Sequence, residues 1–164
     1  MTVASIRVVD FDPRWRGAFA TLNLEWLQRW FVVEPFDREV LGDPERHILG
    51  NGGRILFAVD EAERAVGTGA LMHIGDGVYE LTKMAVVPEA RGRGIGRALM
   101  DAALGLYREL EGSELYLESS SKLGPALALY ESVGFRHHPA PRAGSHYARA
   151  DVHMIWEPAD APPV

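Results

Sequence analysis

Residues 78–110 constrain this chain more than any other stretch. Val78-Tyr-Glu-Leu-Thr-Lys-Met-Ala-Val-Val87 is β-branched and apolar, a strand by type. Arg91-Gly92-Arg93-Gly94-Ile95-Gly96 is a glycine-rich turn. Ile95, Ala98, Leu99, Ala102, Leu106 and Leu110 then recur at helical spacing, which predicts a helix starting near Gly94 and running to Glu111, with Gly112 as its C-terminal glycine. The first amides of a helix have no intrahelical partner, and the helix dipole favours an anion there. Glycines admit positive φ and let those amides approach a ligand without Cβ interference. Arg91, Arg93 and Arg97 add cations able to fork onto phosphate oxygens. The stretch therefore reads as a phosphate cradle; the plainer alternative is an ordinary turn with solvated arginines. No Gly-Lys-Ser/Thr follows, as a P-loop requires. Arg97 stands where the third glycine of a dinucleotide fingerprint belongs, so that pattern fails too.

The remaining elements follow from pattern. Val3 to Val9 reads as a strand. Asp12-Pro13 is a cap-and-proline helix start, and Phe19, Leu22, Trp26, Leu27 and Trp30 carry the helix to about Phe31. Phe36 to Leu41 reads as a second short helix, and Asp43-Pro44 starts a helical turn up to Leu49. After the loop 50–53 come strands Arg54–Asp60, Ala65–Ile74 and Val78–Val87, whose short links predict an antiparallel meander. Glu114–Ser119 follows a helix and should lie parallel to Val78–Val87. A helix over Pro125–Val133, strands Phe135–His138 and Arg149–Trp156, and a frayed Pro/Ala-rich tail over 157–164 complete one domain spanning 1–164. The fold class is a mixed α/β sheet.

Composition bounds the function. At 164 residues, 47% hydrophobic and 24% charged, the chain has the make-up of a soluble globular domain. A formal net charge of −6 argues against a nucleic-acid partner, which would need a basic face. Without cysteine there is no disulfide, thiolate chemistry or Cys-ligated metal. The spacing of His137, His138, His146 and His153 fits no usual metal site, so no metal is expected. No apolar run approaches the ~20 residues of a membrane span, and no signal-peptide core is visible, so neither membrane association nor export is expected and a cytoplasmic location fits.

Two motifs in this order resemble the GNAT superfamily of N-acetyltransferases. Arg91-Gly92-Arg93-Gly94-Ile95-Gly96 is similar to the family's pyrophosphate pattern, Gln/Arg-x-x-Gly-x-Gly/Ala, and Ala126-Leu-Ala-Leu-Tyr130-Glu-Ser-Val-Gly134-Phe135 to its Ala-x-x-Leu-Tyr-x-x-x-Gly-Phe signature. The resemblance implies a largely antiparallel mixed sheet flanked by helices, with two parallel central strands that splay apart. It also implies acetyl-CoA as co-substrate, its thioester near Met84, Ala85 and Val86 and its pyrophosphate over Arg91, Gly92, Arg93, Gly94, Ile95, Gly96 and Arg97. One position departs: Leu123 stands where many members carry an asparagine that reaches the pantetheine arm, and Ser119, Ser120 or Ser121 are the candidates to replace it.

Acetyl transfer to an amine needs the amine neutral, and a lysine-like amine of pKa ~10.4 is overwhelmingly protonated at pH 7. Glu80 is the candidate base, since it starts the strand bordering the gap and shares a face with Thr82, Met84 and Val86 by period two. A carboxylate of ordinary pKa ~4.3 is a weak acceptor, so burial must raise it or a water must relay. By the resemblance, Tyr130 is the general acid or thiolate donor. Backbone amides near Ala85 and Val86 are placed to polarise the carbonyl. Glu25 and Trp26, with Glu34, Asp37 and Glu39 nearby, form an acidic and aromatic surface suited to a cationic amine, although core tryptophans beside a solvated acidic face would read the same. Tyr147 and Arg149 are the loop candidates for substrate contact. The expected activity is direct acetyl transfer from acetyl-CoA to a small-molecule or peptide amine in a ternary complex, with no cysteine to carry an acyl intermediate. The alternative is a non-catalytic acyl-CoA sensor; the acceptor and a homodimeric state are both left open.

Overall fold

The structure is a computed structural model and describes residues 5–158. Seven strands form one sheet in the order β1-β2-β3-β4-β5-β7-β6: β1 Arg7–Asp10, β2 Arg54–Val59, β3 Ala65–Gly75, β4 Val78–Val86, β5 Glu114–Ser119, β6 Phe135–His138 and β7 Val152–Trp156. Every pairing is antiparallel except β4 with β5. Helices α1 Arg16–Trp30, α2 Pro35–Gly42 and α3 Pro44–His47 precede β2; α4 Ile95–Glu109 and α5 Gly124–Ser132 flank β5. The mixed, largely antiparallel sheet expected from the sequence is thus the fold.

Two cores sit on opposite faces. On one, α4 lays Ile95, Leu99, Met100, Ala103, Leu104 and Tyr107 against Leu56, Leu71, Leu81, Leu115 and Leu117. On the other, Phe19 and Leu27 of α1 and Val40 and Leu41 of α2 cover Ile55, Phe57, Val59, Ala70 and Met72. Fully burying an aliphatic or aromatic side chain of this kind contributes about 1.5–3 kcal/mol. The two layers clamp the sheet from both sides.

Several boundaries differ from the sequence pattern. Residues 1–4 and 159–164 lie outside the described residues, so the start of the first predicted strand and most of the predicted tail are not addressed. Asp12-Pro13 opens a 3₁₀ turn over Pro13–Trp15, capped by the Asp12 side chain on the Arg14 amide, and α1 proper begins at Arg16. The last strand starts at Val152, not Arg149, because residues 145–150 leave the sheet to contact α2. The helix α4 ends at Glu109, and Glu111, not Gly112, takes the left-handed conformation (φ 55°). Gly112 is required for a different reason: a Cβ there would lie 2.2 Å from the Tyr107 ring.

The largest correction concerns β4. Thr68 pairs with Ala85 but Ala70 pairs with Thr82, so β4 holds one residue more than β3 across this step. The bulge centres on Lys83, whose φ is +56°. Alternation inverts there: Glu80 pairs with Met72 and Thr82 with Ala70 of the α1/α2 core, whereas Met84 and Val86 pack against the α4 core. Glu80 and Thr82 therefore do not share a face with Met84 and Val86. Lys83 instead joins Glu80 on the α1/α2 side.

Candidate active site

β4 and β5 are paired only from Val78↔Glu114 to Glu80↔Tyr116, although β4 runs on to Val86 and β5 to Ser119. Beyond Glu80 the strands part, and a cavity of about 650 Å³ passes between them. Gly92, Gly94, Ile95, Gly96, Pro125, Leu129 and Tyr130 line it from the α4/α5 side, and Trp26, Phe31, Lys83, Tyr147 and Arg149 from the α1/α2 side. Met84, Ala85 and Val86 form its edge along β4.

The α4/α5 side has the shape of an anion seat. Gly92 and Gly94 take φ of +80° and +78°, and a Cβ on either would meet no atom within 4 Å, so the turn is open in front. Gly94 caps α4, leaving the first amides of that helix without intrahelical partners at the cavity. These residues fit a pyrophosphate. The three arginines are not equivalent. Arg91 lines the cavity but is engaged, Nε donating to the Val86 carbonyl (3.1 Å) and Nη2 to Glu25 of α1 (3.0 Å). Arg93 is exposed, and Arg97 pairs with Asp101 (3.1 Å) one turn along α4. Ser119, Ser120 and Leu123 also line this region; Ser121 does not, its hydroxyl being bonded to Asp151 (2.7 Å).

Tyr130 projects from α5 into the cavity with its ring edge-on to Phe135 (6.1 Å). Burial pushes its phenol up to about 12, so it stays protonated and available as a donor.

On the opposite side Glu80 is only 5% exposed and also lines the cavity. Burial, reinforced by the charge of Glu118 on β5, pushes its carboxyl up to about 7. Such a group can exchange a proton near neutral pH, which an ordinary carboxyl cannot. Leu115 and Leu117 point into the α4 core, so Glu118, like Tyr116, faces the α1/α2 side. Glu118 Oε1 is buried without a hydrogen-bond partner.

Around these two carboxylates lies a buried ionic lattice. Asp37, third residue of α2, accepts from Lys83 Nζ (2.7 Å), from both terminal nitrogens of Arg149 (2.7 and 2.8 Å) and from the Glu34 amide (2.9 Å). Burial alone would raise the Asp37 carboxyl, but the hydrogen bonds from Arg149 and the charge of Lys83 outweigh it and hold it at about 2. Arg149 also reaches Glu34 (3.2 Å), whose other oxygen accepts from the Ala148 amide (2.9 Å). Lys83 donates to the Tyr147 hydroxyl (2.9 Å) as well, and His146 stacks on Phe36 (4.1 Å). The loop before β7 is thereby latched onto α2.

Of the substrate candidates, Trp26, Tyr147 and Arg149 reach the cavity, whereas Glu25 does not line it and is paired with Arg91. Asp37 is not part of an acidic surface, being fully buried, and Glu39 is exposed on the far side of α2. Lys83 and Glu118 went unremarked in the sequence. A charged residue inside the apolar run 78–87 was the available signal for the first; for the second it was the alternation Leu115, Leu117 against Tyr116, Glu118.

Residues 51–137, more than half of the chain, match the family described as the acetyltransferase (GNAT) domain. The chain belongs to the GNAT acetyltransferases. It is 30% identical over 113 residues to the uncharacterized N-acetyltransferase YjgM of Escherichia coli, covering 67% of this chain and 68% of that one. It is 33% identical over 125 residues to the N-alpha-acetyltransferase RimI of Mycobacterium tuberculosis, covering 73% and 70%. Among solved structures, a GNAT-family acetyltransferase from Staphylococcus aureus superposes with a TM-score of 0.83 at 20% identity, covering 92% of this chain and 98% of that one. The spermidine N-acetyltransferase SpeG of Vibrio cholerae superposes at 0.69 and 22% identity, covering 92% of each chain. At those identities the superpositions speak for the GNAT fold. Among the described residues no helix is long and apolar enough to cross a membrane.

Proposed function

We propose that this GNAT acetyltransferase moves an acetyl group from acetyl-CoA to a primary amine by direct attack in a ternary complex. The observation that carries the reading is the cavity through the parted strands, with Glu80 on one side and Tyr130 on the other. The amides at the start of α4, with Arg91, Gly92, Gly94 and Gly96, would hold the pyrophosphate; Met84, Ala85 and Val86 would flank the thioester and polarise its carbonyl. Arg93 and Arg97 are assigned an outer, electrostatic part in phosphate binding.

Glu80, held near neutrality, takes a proton from the incoming amine. The nitrogen lone pair then attacks the thioester carbon, the carbon–sulfur bond breaks with its electron pair leaving on sulfur, and the second proton shed by the nitrogen as the amide forms passes to that sulfur, giving the amide and the CoA thiol. Tyr130 donates a hydrogen bond to the departing thiolate. Because its phenol is pushed far above an ordinary thiol, stabilising the thiolate, rather than surrendering a proton outright, is its part. Trp26, Tyr147 and Arg149 frame the acceptor on the α1/α2 side, while Glu25 acts through Arg91. The relative named an N-alpha-acetyltransferase and the structural neighbour named a spermidine N-acetyltransferase support an amine acceptor here.

The test is to incubate the protein with acetyl-CoA and a panel of primary amines, polyamines, amino acids and short peptides, and to follow thiol release. Amine-dependent CoA release is expected. Stabilisation by CoA with no turnover on any amine would contradict the reading and favour a binding protein.

A further inference from the structure

The cations of the buried lattice on the α1/α2 side are committed to other partners, Lys122 at the cavity wall lies over the Phe31 ring (5.4 Å) and pairs with neither Glu80 nor Glu118, and these two carboxylates are left over. Lys83 is committed to Asp37 and the Tyr147 hydroxyl. Arg149 is committed to Asp37 and Glu34. Arg142 lies over the Tyr116 ring (3.7 Å) but gives its nitrogens to Glu114 (2.9 Å) and His153 (3.1 Å). Glu80 and Glu118 belong to none of these pairs, and among the described residues no hydrogen bond reaches either carboxylate. Yet Glu80 is almost wholly buried, Glu118 Oε1 is sealed from solvent, and both residues line the cavity. A carboxylate oxygen buried without a donor costs on the order of 1–3 kcal/mol or more, and two neighbouring ones repel. A cationic donor entering through the cavity would satisfy both.

We propose that Glu118 is the anchor of the acceptor's ammonium group, seating it between the two carboxylates so that Glu80 can take its proton. The proposal rests on the acetyl-transfer reading above and adds a specificity residue to it. In this arrangement the ammonium docks as a cation, hydrogen-bonded to Glu118. One N–H bond then breaks, its proton passes to the Glu80 carboxylate, and its electron pair stays on nitrogen as the nucleophile. The acceptor class is therefore a basic alkyl amine, charged when it binds. Weakly basic aromatic amines and alcohols, neutral when they arrive, bring no charge to offset the two carboxylates and are discriminated against.

The experiment uses the full chain saturated with CoA and carrying carbon-13 at the glutamate carboxyls. It is titrated with butylammonium and, separately, with butanol as the neutral isostere. Butylammonium is expected to shift the Glu80 and Glu118 carboxyl signals saturably and butanol is not. In Glu118→Gln the butylammonium affinity should fall about tenfold or more, as for loss of one partner of a buried charge pair. With an amine turned over by the wild type, Glu118→Gln should raise KM by a similar factor and leave kcat within about threefold, whereas Glu80→Gln should act on kcat. Equal shifts with butanol, unchanged affinity in Glu118→Gln, or a loss confined to kcat would overturn the assignment. Calorimetry of CoA with the wild type and Glu118→Gln separates the failures. No CoA binding to the wild type sinks the parent reading; normal binding to both with no ammonium effect sinks only this one.

Discussion

At the scale of the single residue, the proposed mechanism makes Glu80 the source of the reaction's pH dependence. Its carboxyl is raised to about 7, so the base form accumulates only as pH passes that value. The rate kcat/KM should rise tenfold per pH unit below about 7 and flatten above it. In Glu80→Gln that inflection should vanish and kcat fall on the order of 10²-fold, read from the thiol-release assay over pH 5.5–9. The same shift has a stability consequence of definite sign. The folded state binds the Glu80 proton more tightly than the unfolded chain does, so stability falls as pH rises from the ordinary value of 4.5 through about 7. The loss amounts to at most about 3 kcal/mol. Urea unfolding at pH 5 and pH 8 should therefore show Glu80→Gln gaining on the wild type at the higher pH. An equal difference at both would contradict a raised Glu80. Tyr130→Phe tests the other side: kcat should drop roughly 10- to 100-fold with CoA affinity unchanged, since only the departing sulfur loses a donor.

At the scale of elements, the bulge in β4 and the N-terminus of α2 together build the wall of the cavity to which the proposal assigns the acceptor. Lys83 in the left-handed region costs on the order of 1 kcal/mol, and that conformation turns its side chain to Asp37. Asp37→Asn leaves Lys83 and Arg149 without their shared counter-charge and should destabilise the fold by roughly 3–5 kcal/mol at pH 7. Because Asp37 titrates at about 2, its contribution is complete above the ordinary carboxylate range and is lost only as pH falls towards 2. Chemical denaturation of wild type and variant between pH 3 and pH 7 checks this, and an equal stability of the two at pH 7 would refute it. Much of this level was legible beforehand. The glycine turn, the meander and the parallel placement of β5 each follow from local pattern. The inversion at Lys83 was not, because period-two reading assumes a regular ladder, and only the partner strand β3 reveals the extra residue. Nor was the Asp37–Lys83–Arg149 lattice, which joins positions as much as 112 residues apart and has no local signature. For the same reason residues 149–151 read as strand: nothing local says that Arg149 is drawn to α2 instead.

For the molecule as a whole, the two cores cover the sheet on either face while β4 and β5 part at its centre, and the proposed cofactor and acceptor sides meet at that gap. Arg91 links them at the rim, bonded to β4 and to Glu25 of α1. Acetyl-CoA should therefore raise the melting temperature by several degrees, as expected for a ligand at a hundred times its Kd. The most direct test of direct transfer is a single-turnover experiment with the protein in excess over, or stoichiometric with, acetyl-labelled acetyl-CoA. Without amine, no CoA release and no labelled protein are expected; adding a competent amine should move the label wholly to the amine with matching thiol release. A stoichiometric burst of CoA with label retained on the protein before any amine is added would contradict the account.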